Sequence, residues 1–367
     1  MKLLFVSFIL SALASIYLIR LFKKKPIGVD AVGGGPQKFH AHPVPRLGGI
    51  GVFVGLIGAG VMMEVLKPVE TRQYWYLIVA SVPVFVGGLL EDITKKVGPT
   101  MRLLFAFASA GLGVFFLEAI VIRLDIPVID PLFSIYPVAF IFTLFAVGGT
   151  ANAINIIDGF NGIAGVVSLL VVSAIGYVAH LVGDNVLVYT CLVIVGAILG
   201  FLLWNYPWGM IFLGDAGAYL LGFLIAELSV LLVGRNPEVS AWFPLVLVIY
   251  PVTETLFSIY RKKFLRGQSP AEPDGLHFHM LIYKRMLGWM IGKREAKHML
   301  KRNSMTAPYL WALTLMSIFP AVILWRHTLA LMLFSIMFVI LYIWLYWRIV
   351  RFKTPKFLYL NGLRRKI

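Results

Sequence analysis

Runs of roughly 18 or more apolar residues recur along almost the whole chain, and a helix that crosses a bilayer needs about that many. Inside lipid, backbone polar groups can be satisfied only by helices or a closed barrel, and runs of this length suit helices. Eleven spans are expected, at about 1–22, 47–66, 74–90, 103–122, 136–156, 162–182, 186–203, 217–234, 241–260, 307–325 and 328–347. Composition agrees: 60% of the 367 residues are hydrophobic, 14% are charged and mean hydropathy is +0.87. Soluble domains carry roughly 25% charged residues. The expected fold is all-α, a polytopic membrane bundle forming a single domain over 1–367. No internal repeat, low-complexity tract or separate soluble domain stands out.

Charge sets the expected orientation. Loops after spans 1, 3 and 9 and the tail 348–367 hold 26 Lys and Arg, against 5 in loops of the other parity. By the positive-inside rule the N-terminus lies outside and the C-terminus in the cytoplasm. The net charge of +16 is thereby explained by anionic lipid at one face, and no nucleic-acid-binding pattern is present. Ala12-Leu13-Ala14 resembles a signal-peptide cleavage site, yet Lys23, Lys24 and Lys25 follow the apolar run instead of preceding it, so residues 1–22 are expected to remain as the first span. Cys191 stands alone in span 7, which excludes an intramolecular disulfide; a small packing residue is the simple reading.

Against this apolar background, "TANAINIIDGFNGIAG" (150–165) is anomalous. Asn152 and Asn155 share a helical face, and Asp158, Gly159, Asn161 and Gly162 follow in the turn to span 6. Polar groups in a span usually face a cavity or one another. An amide network gluing helices would also account for them. Other polar islands shift the balance: Glu91 and Asp92 end span 3, Arg102 opens span 4, and Asp215 opens span 8. Asp274, His277 and His279 lie in the loop 261–306, and Lys38, His40, His42 and Arg46 precede span 2. All of these fall on the same membrane face, in loops at about 23–46, 91–102, 157–161, 204–216 and 261–306. Carboxylates and amide oxygens suit Mg²⁺, with Mn²⁺ as a substitute. Lys, Arg and His suit phosphate, and the N-terminal N–H groups of spans 6 and 8 point at the same place. The combination reads as a metal–diphosphate site.

The same motifs, in order from about Asp30 to Arg285, resemble the polyprenyl-phosphate N-acetylhexosamine-1-phosphate transferase superfamily, the glycosyltransferase family 4 type. The likeness is to its bacterial branch, which uses UDP-N-acetylhexosamines and has ten or eleven spans with a cytoplasmic active site. The resemblance implies a Mg²⁺-dependent transfer of N-acetylhexosamine 1-phosphate from a UDP-sugar to undecaprenyl phosphate. UMP is released, and the product starts a surface glycan such as O-antigen of lipopolysaccharide. It implies Asp215 and Asn155 as metal ligands, and Glu91, Asp92 and Asp158 as further acidic residues of the chemistry, the first two handling the lipid phosphate. Phe212 would stack on uracil, with Gly159, Asn161 and Gly162 reading its edge. Arg102, His277 and His279 would contact phosphate, and Lys38, His40, Arg46 and Asn152 complete the substrate site. The implied location is a bacterial inner membrane; a second copy of the chain is a candidate partner.

Three positions depart from the family pattern: Glu91 replaces an Asp, Asn161 an acidic residue and Met280 a third His. They leave the sugar open, N-acetylglucosamine or a 6-deoxy relative. A transporter would place polar groups near the midplane of two related halves, which this chain does not show; a silent scaffold that lost activity is the other alternative. His180, His298 and His327 read as non-catalytic, and Glu64 and Glu118 as interfacial. Glu227 reads as an interhelical partner, and Glu254 is near enough to touch the site. The basic segment 283–302 is read as a membrane-surface helix or a solvated loop.

Overall fold

A computed structural model of the chain describes residues 1–24, 29–30, 43–67, 69–269, 275–291 and 296–352. Lys38, His40, His42 and Asp274 lie outside the described residues, as do 353–367. The described chain is helical apart from two two-residue strands, β1 (Val29–Asp30) and β2 (Val44–Pro45), paired antiparallel. Eight long helices come first: α1 (Lys2–Lys24), α2 (Gly48–Leu66), α3 (Arg72–Thr94), α4 (Pro99–Leu117), α5 (Tyr136–Ile157), α6 (Ile163–Leu181), α7 (Asn185–Asn205) and α8 (Gly214–Arg235). Then follow α9 (Trp242–Leu247), α10 (Ile249–Tyr260), α11 (Phe278–Leu281), α12 (Gly288–Ile291), α13 (Ala296–Ile323) and α14 (Thr328–Val350). Among the described residues ten helices are long and apolar enough to cross a membrane. The protein is a multi-pass membrane bundle.

The expected ninth span is the exception, broken into α9 and α10 at Val248 (φ −103°, ψ 16°). Pro251 has no N–H to offer the carbonyl of Leu247, and its ring crowds that carbonyl, so the helix yields there. The expected fourth span is displaced as well. Pro99 starts α4 early, in the first-turn position that proline favours, and the helix ends at Leu117, with Glu118 in the left-handed conformation (φ 57°). α13 begins well before the expected 307, because 296–306 continue the helix with Arg302, Asn303, Ser304 and Thr306 turned inward and buried.

α8 is the axis of the bundle. Of its most apolar stretch 89% is buried, against 28–61% for the other nine helices. It touches α2, α3, α4, α5 and α6. Such a helix needs close neighbours, and small residues allow them. A Cβ on Gly49 would lie 2.4 Å from the nitrogen of Gly217, and one on Gly88 2.5 Å from that of Ala216. α5 crosses α8 in the same way, Gly222 against Ala151. Toward the other side α1 packs on α2 and α7, with Ser11 Oγ donating to the Ala197 carbonyl at 2.7 Å.

Candidate active site

The N-terminus of α8 is where the polar islands converge. Asp92, at the end of α3 and fully buried, accepts from the backbone N–H of Asp215 (3.0 Å) on one oxygen and of Ala216 (2.9 Å) on the other. The start of α2 is likewise occupied: Gly48 and Gly49 N–H donate to the carbonyls of Phe212 and Leu213 at 2.9 and 2.8 Å. At α6, Gly162 N–H donates to Asn205 Oδ1 (2.7 Å) and Asn161 N–H to Asn303 Oδ1 (2.9 Å). This corrects an expectation. The Asp215 and Ala216 N–H groups in the first turn of α8 are taken by Asp92, as orphan helix donors usually are by side chains, and the Asn161 and Gly162 N–H groups just before α6 by Asn303 and Asn205, so these four are not the phosphate-facing groups the sequence suggested. Asp92 likewise faces backbone, and Glu91 Oε2 accepts from Val97 N–H at 2.8 Å, bracing the α3–α4 turn at the cavity edge.

Asp215, 6% exposed, is ringed by cations and amides. Arg46 Nη2 reaches one oxygen at 3.1 Å, Arg102 Nη1 pairs with the other, and Asn155 Nδ2 donates to the first at 3.2 Å. Arg46 also approaches Asp92 at 3.6 Å. Three residues earlier on α5, Asn152 Oδ1 accepts from Tyr219 OH at 2.9 Å. The two amides therefore bridge α5 to α8 while lining the cavity, which joins the gluing and site readings in one face. Asp158 caps α5 beside them. Burial pushes its carboxyl up to about 7, with Asp215 and Asp92 adding to the rise and Arg46 opposing it.

Do these groups suit Mg²⁺? Among the described residues no group of three or more His, Cys, Asp or Glu is placed to share an ion. Mg²⁺ needs no such cage, since it retains waters and takes one or two carboxylates plus phosphate oxygens. Asp215 supplies a carboxylate at the cavity wall. Asn155 supplies an amide oxygen once its amide is turned, and Asp158 lines the same cavity. The donor set fits a hard ion held largely by substrate.

A second wall is built from the 159–162 turn. Gly162 has φ +75°, and a side chain there would meet Tyr206; one on Gly159 would lie 2.6 Å from His279 Nε2. Asn161 Nδ2 donates to the Pro207 carbonyl at 3.3 Å, while its Oδ1 is a buried acceptor without a hydrogen-bond partner among the described residues. Phe212 lines the same cavity.

His277 and His279 form the third wall, their rings stacked 5.4 Å apart. His277 Nδ1 lies 2.9 Å from Glu254 Oε1. Met280, where the resemblance expects a third His, is 3% exposed and also lines the cavity. Over 283–291 the basic segment is neither a surface helix nor a solvated loop: Tyr283, Met286, Leu287 and Met290 are buried in the bundle. Tyr283 stacks on Phe160 at 4.9 Å and carries the Arg302 guanidinium over its face.

These walls enclose one cavity of about 1440 Å³. Arg46, Glu91, Arg102, Asn152, Asn155, Asp158, Gly159, Asn161, Phe212, Asp215, His277 and His279 all line it; Asp92 and Gly162 sit just behind. Its lining runs from Asp215 to Gly234 on α8, about 28 Å at 1.5 Å per residue. The long arm is apolar, with Phe142, Phe145, Leu245, Val252 and Leu256 among its walls. At its far end Arg123 pairs with Asp125 and donates to the Val239 carbonyl at 2.7 Å. Sequence reasoning missed Asn205, Tyr219, Lys262 and Asn303, which also line this cavity. Asn205 stands out beside Pro207 at the end of an apolar run, whereas Lys262 and Asn303 are hidden in a basic stretch that reads as solvated. His180 and His327 are exposed and do not line the cavity.

Residues 74–233 match the family described as Glycosyl transferase family 4. A probable undecaprenyl-phosphate N-acetylglucosaminyl 1-phosphate transferase of Bacillus subtilis strain 168 is 31% identical over 281 residues, 75% of each chain. An undecaprenyl-phosphate alpha-N-acetylglucosaminyl 1-phosphate transferase of Escherichia coli K12 is 28% identical over 68% of this chain and 67% of its own. The protein of that name from Salmonella typhi is 29% identical over 75% and 76%.

Proposed function

Because this chain belongs to glycosyl transferase family 4, among the polyprenyl-phosphate N-acetylhexosamine-1-phosphate transferases, we propose that it moves an N-acetylhexosamine 1-phosphate from a UDP-sugar to undecaprenyl phosphate. The observation that carries this reading is the shape and chemistry of one cavity. Its polar end gathers Arg46, Arg102, Asp215 and His277, and its other arm is an apolar trough along α8. A charged, water-soluble sugar nucleotide and a membrane-bound lipid phosphate need such a place to meet.

In the proposed reaction an oxygen of the lipid phosphate attacks the β-phosphorus of the UDP-sugar. A new P–O bond forms as the bond to the bridging oxygen breaks, and UMP leaves with that oxygen and its electron pair. A phosphate monoester has a second pKa near 6, so the nucleophile is largely ionised at neutral pH without a protein base. Positioning and charge stabilisation are then what the site must supply. Arg46 and Arg102, held at Asp215, are placed to turn onto phosphate oxygens. Asn161 Oδ1 is an acceptor that a base N–H would satisfy, and Phe212, on the same cavity, is the aromatic for the base to stack on. Mg²⁺, held by Asp215 and Asn155, would neutralise charge on the diphosphate and the departing UMP.

The excess of Lys and Arg in loops at the polar end supports a cytoplasmic site and a bacterial inner membrane. N-acetylglucosamine is the first donor to try, 6-deoxy sugars the next, and O-antigen initiation is one role that such a product would serve. The test uses purified protein, undecaprenyl phosphate, Mg²⁺ and a panel of UDP-N-acetylhexosamines, following UMP release together with sugar transfer to lipid. Mg²⁺-dependent release with one donor is expected. Asp215→Ala and Asn155→Ala should abolish it while the protein still folds and inserts. Normal turnover by Asp215→Ala would remove the metal assignment.

A further inference from the structure

We infer that Glu254 is a positioning residue, which fixes the His277 ring so that Nε2 serves the cavity as a donor to a phosphate oxygen. The inference rests on reading the cavity as a phosphoryl-transfer site.

Glu254 sits on α10, 1% exposed, one layer behind the cavity and not on its wall. Its carboxylate gathers three groups from two other parts of the chain. His277 Nδ1 lies 2.9 Å from Oε1, Phe278 N–H is 3.2 Å from both oxygens, and Tyr342 OH of α14 donates to Oε2 at 2.7 Å. A carboxylate can only accept, so Nδ1 of His277 carries the hydrogen in this pair. Which ring nitrogen is protonated is set by the bond the other makes. With Nδ1 committed, Nε2 is the nitrogen left for the cavity that the ring lines.

A buried carboxylate is tolerated only when paired and hydrogen-bonded. Around Glu254 stand Tyr250 on its own helix, Tyr342 on α14, and the stacked imidazoles His277 and His279. The phenols bring no positive charge, so of these neighbours only an imidazole can pair with the carboxylate as a cation, and His277 is the one in contact. An imidazolium with Nδ1–H on Glu254 has its Nε2–H free to make a charge-assisted bond to phosphate. Phe278 N–H and Tyr342 OH hold the carboxylate from two further sides, so the ring cannot swing without breaking bonds to α10.

Glu254→Gln is the variant to make. Its amide oxygen can still accept from Nδ1 and its amide nitrogen can donate to Tyr342, so shape is retained and charge is lost. With UDP-N-acetylglucosamine and undecaprenyl phosphate, kcat/KM of the folded variant is expected to fall at least tenfold. In a His277→Asn background the same change should matter less than twofold, because Glu254 then has nothing to act through. Wild-type kinetics in Glu254→Gln, or full additivity with His277→Asn, would overturn the inference. If Glu254→Gln does not fold, nitrogen NMR of ¹⁵N-histidine-labelled wild type decides, with His277 assigned by difference from His277→Asn. A protonated Nδ1 is expected, and a bare Nδ1 overturns the pairing. Should the wild type release no UMP with any donor, the functional reading fails instead, while the NMR result still reports on the pair.

Discussion

Replacing Asp92 by Asn separates two roles for this carboxylate. Its oxygens accept the N–H groups of Asp215 and Ala216 and so hold the first turn of α8. Asn keeps one acceptor but turns an NH₂ toward the second N–H. One charge-assisted hydrogen bond is lost, at about 1.5–3 kcal/mol, and one buried donor is left unsatisfied, at about 1–3 kcal/mol. With partial relaxation the expected loss of stability is about 2–4 kcal/mol. At roughly 2 °C or more per kcal/mol, the melting temperature of the purified protein should drop by at least about 4 °C. Asp215 rides on the turn that is released, and a displacement of about 1 Å at a reacting site can lower the rate about 100-fold. Affinity for the UDP-sugar, measured by calorimetry, should fall along with turnover. If Asp92 were instead a base or a handler of lipid phosphate, Asp92→Asn would keep its melting temperature and UDP-sugar affinity and lose only kcat. That result would refute the capping argument.

Two further expectations concern carboxyl groups. A Cβ on Gly113 would come 2.3 Å from Glu227 Oε1, and both Glu227 oxygens are buried without a hydrogen-bond partner among the described residues. Gly113→Ala should therefore destabilise by about 1–3 kcal/mol through overpacking. In a Glu227→Ala background it should be nearly neutral; additive losses in thermal unfolding would refute the clash. Asp158 has its carboxyl raised to about 7 in the folded protein, against about 3.9 for a free Asp side chain. The folded state thus holds this proton more tightly, so its contribution is fully present below about pH 4 and drains away as pH rises to about 7. Thermal stability of wild type relative to Asp158→Asn should decline across that window and level off above it. A difference that stays constant with pH would show that burial does not shift this group.

Much of the bundle is written in hydropathy, because each span must bury its own backbone polarity and announces itself by length. The departures arise where a single residue overrides the apolar run. Pro251 breaks the ninth span and Pro99 advances the fourth, yet Pro308 and Pro320 lie inside α13 without ending it. Proline alone therefore does not say which helix gives way. At the site, residue types on one face were legible, and the structure brings the described ones to one cavity or just behind it. Their partners were not legible. That Asp92 meets α8 backbone depends on Gly88 letting α3 approach, and that Glu254 stands behind His277 depends on how α10 and α14 fold over the 275–291 segment. Both are facts of tertiary packing between residues distant in sequence, and no local spacing encodes them.

The glycine crossings around α8 divide the site into two parts with different freedom to change. Asp215, Asp92 and Asn155 are mounted on helices whose backbones nearly touch, and Arg46 lies just before α2, so almost any added atom at Gly49, Gly88 or Gly222 would displace the whole mount. His277, His279, Met280 and Asn303 belong to a later part of the chain. It meets the first through side chains: Asn303 on the 161 turn, Tyr283 on Phe160, and His279 beside Gly159. Side-chain contacts can be exchanged one at a time, whereas backbone contacts cannot. A lineage adapting this enzyme to a new sugar would therefore be expected to leave the α8 mount alone and vary the His-bearing segment, where Met280 already departs from the family pattern.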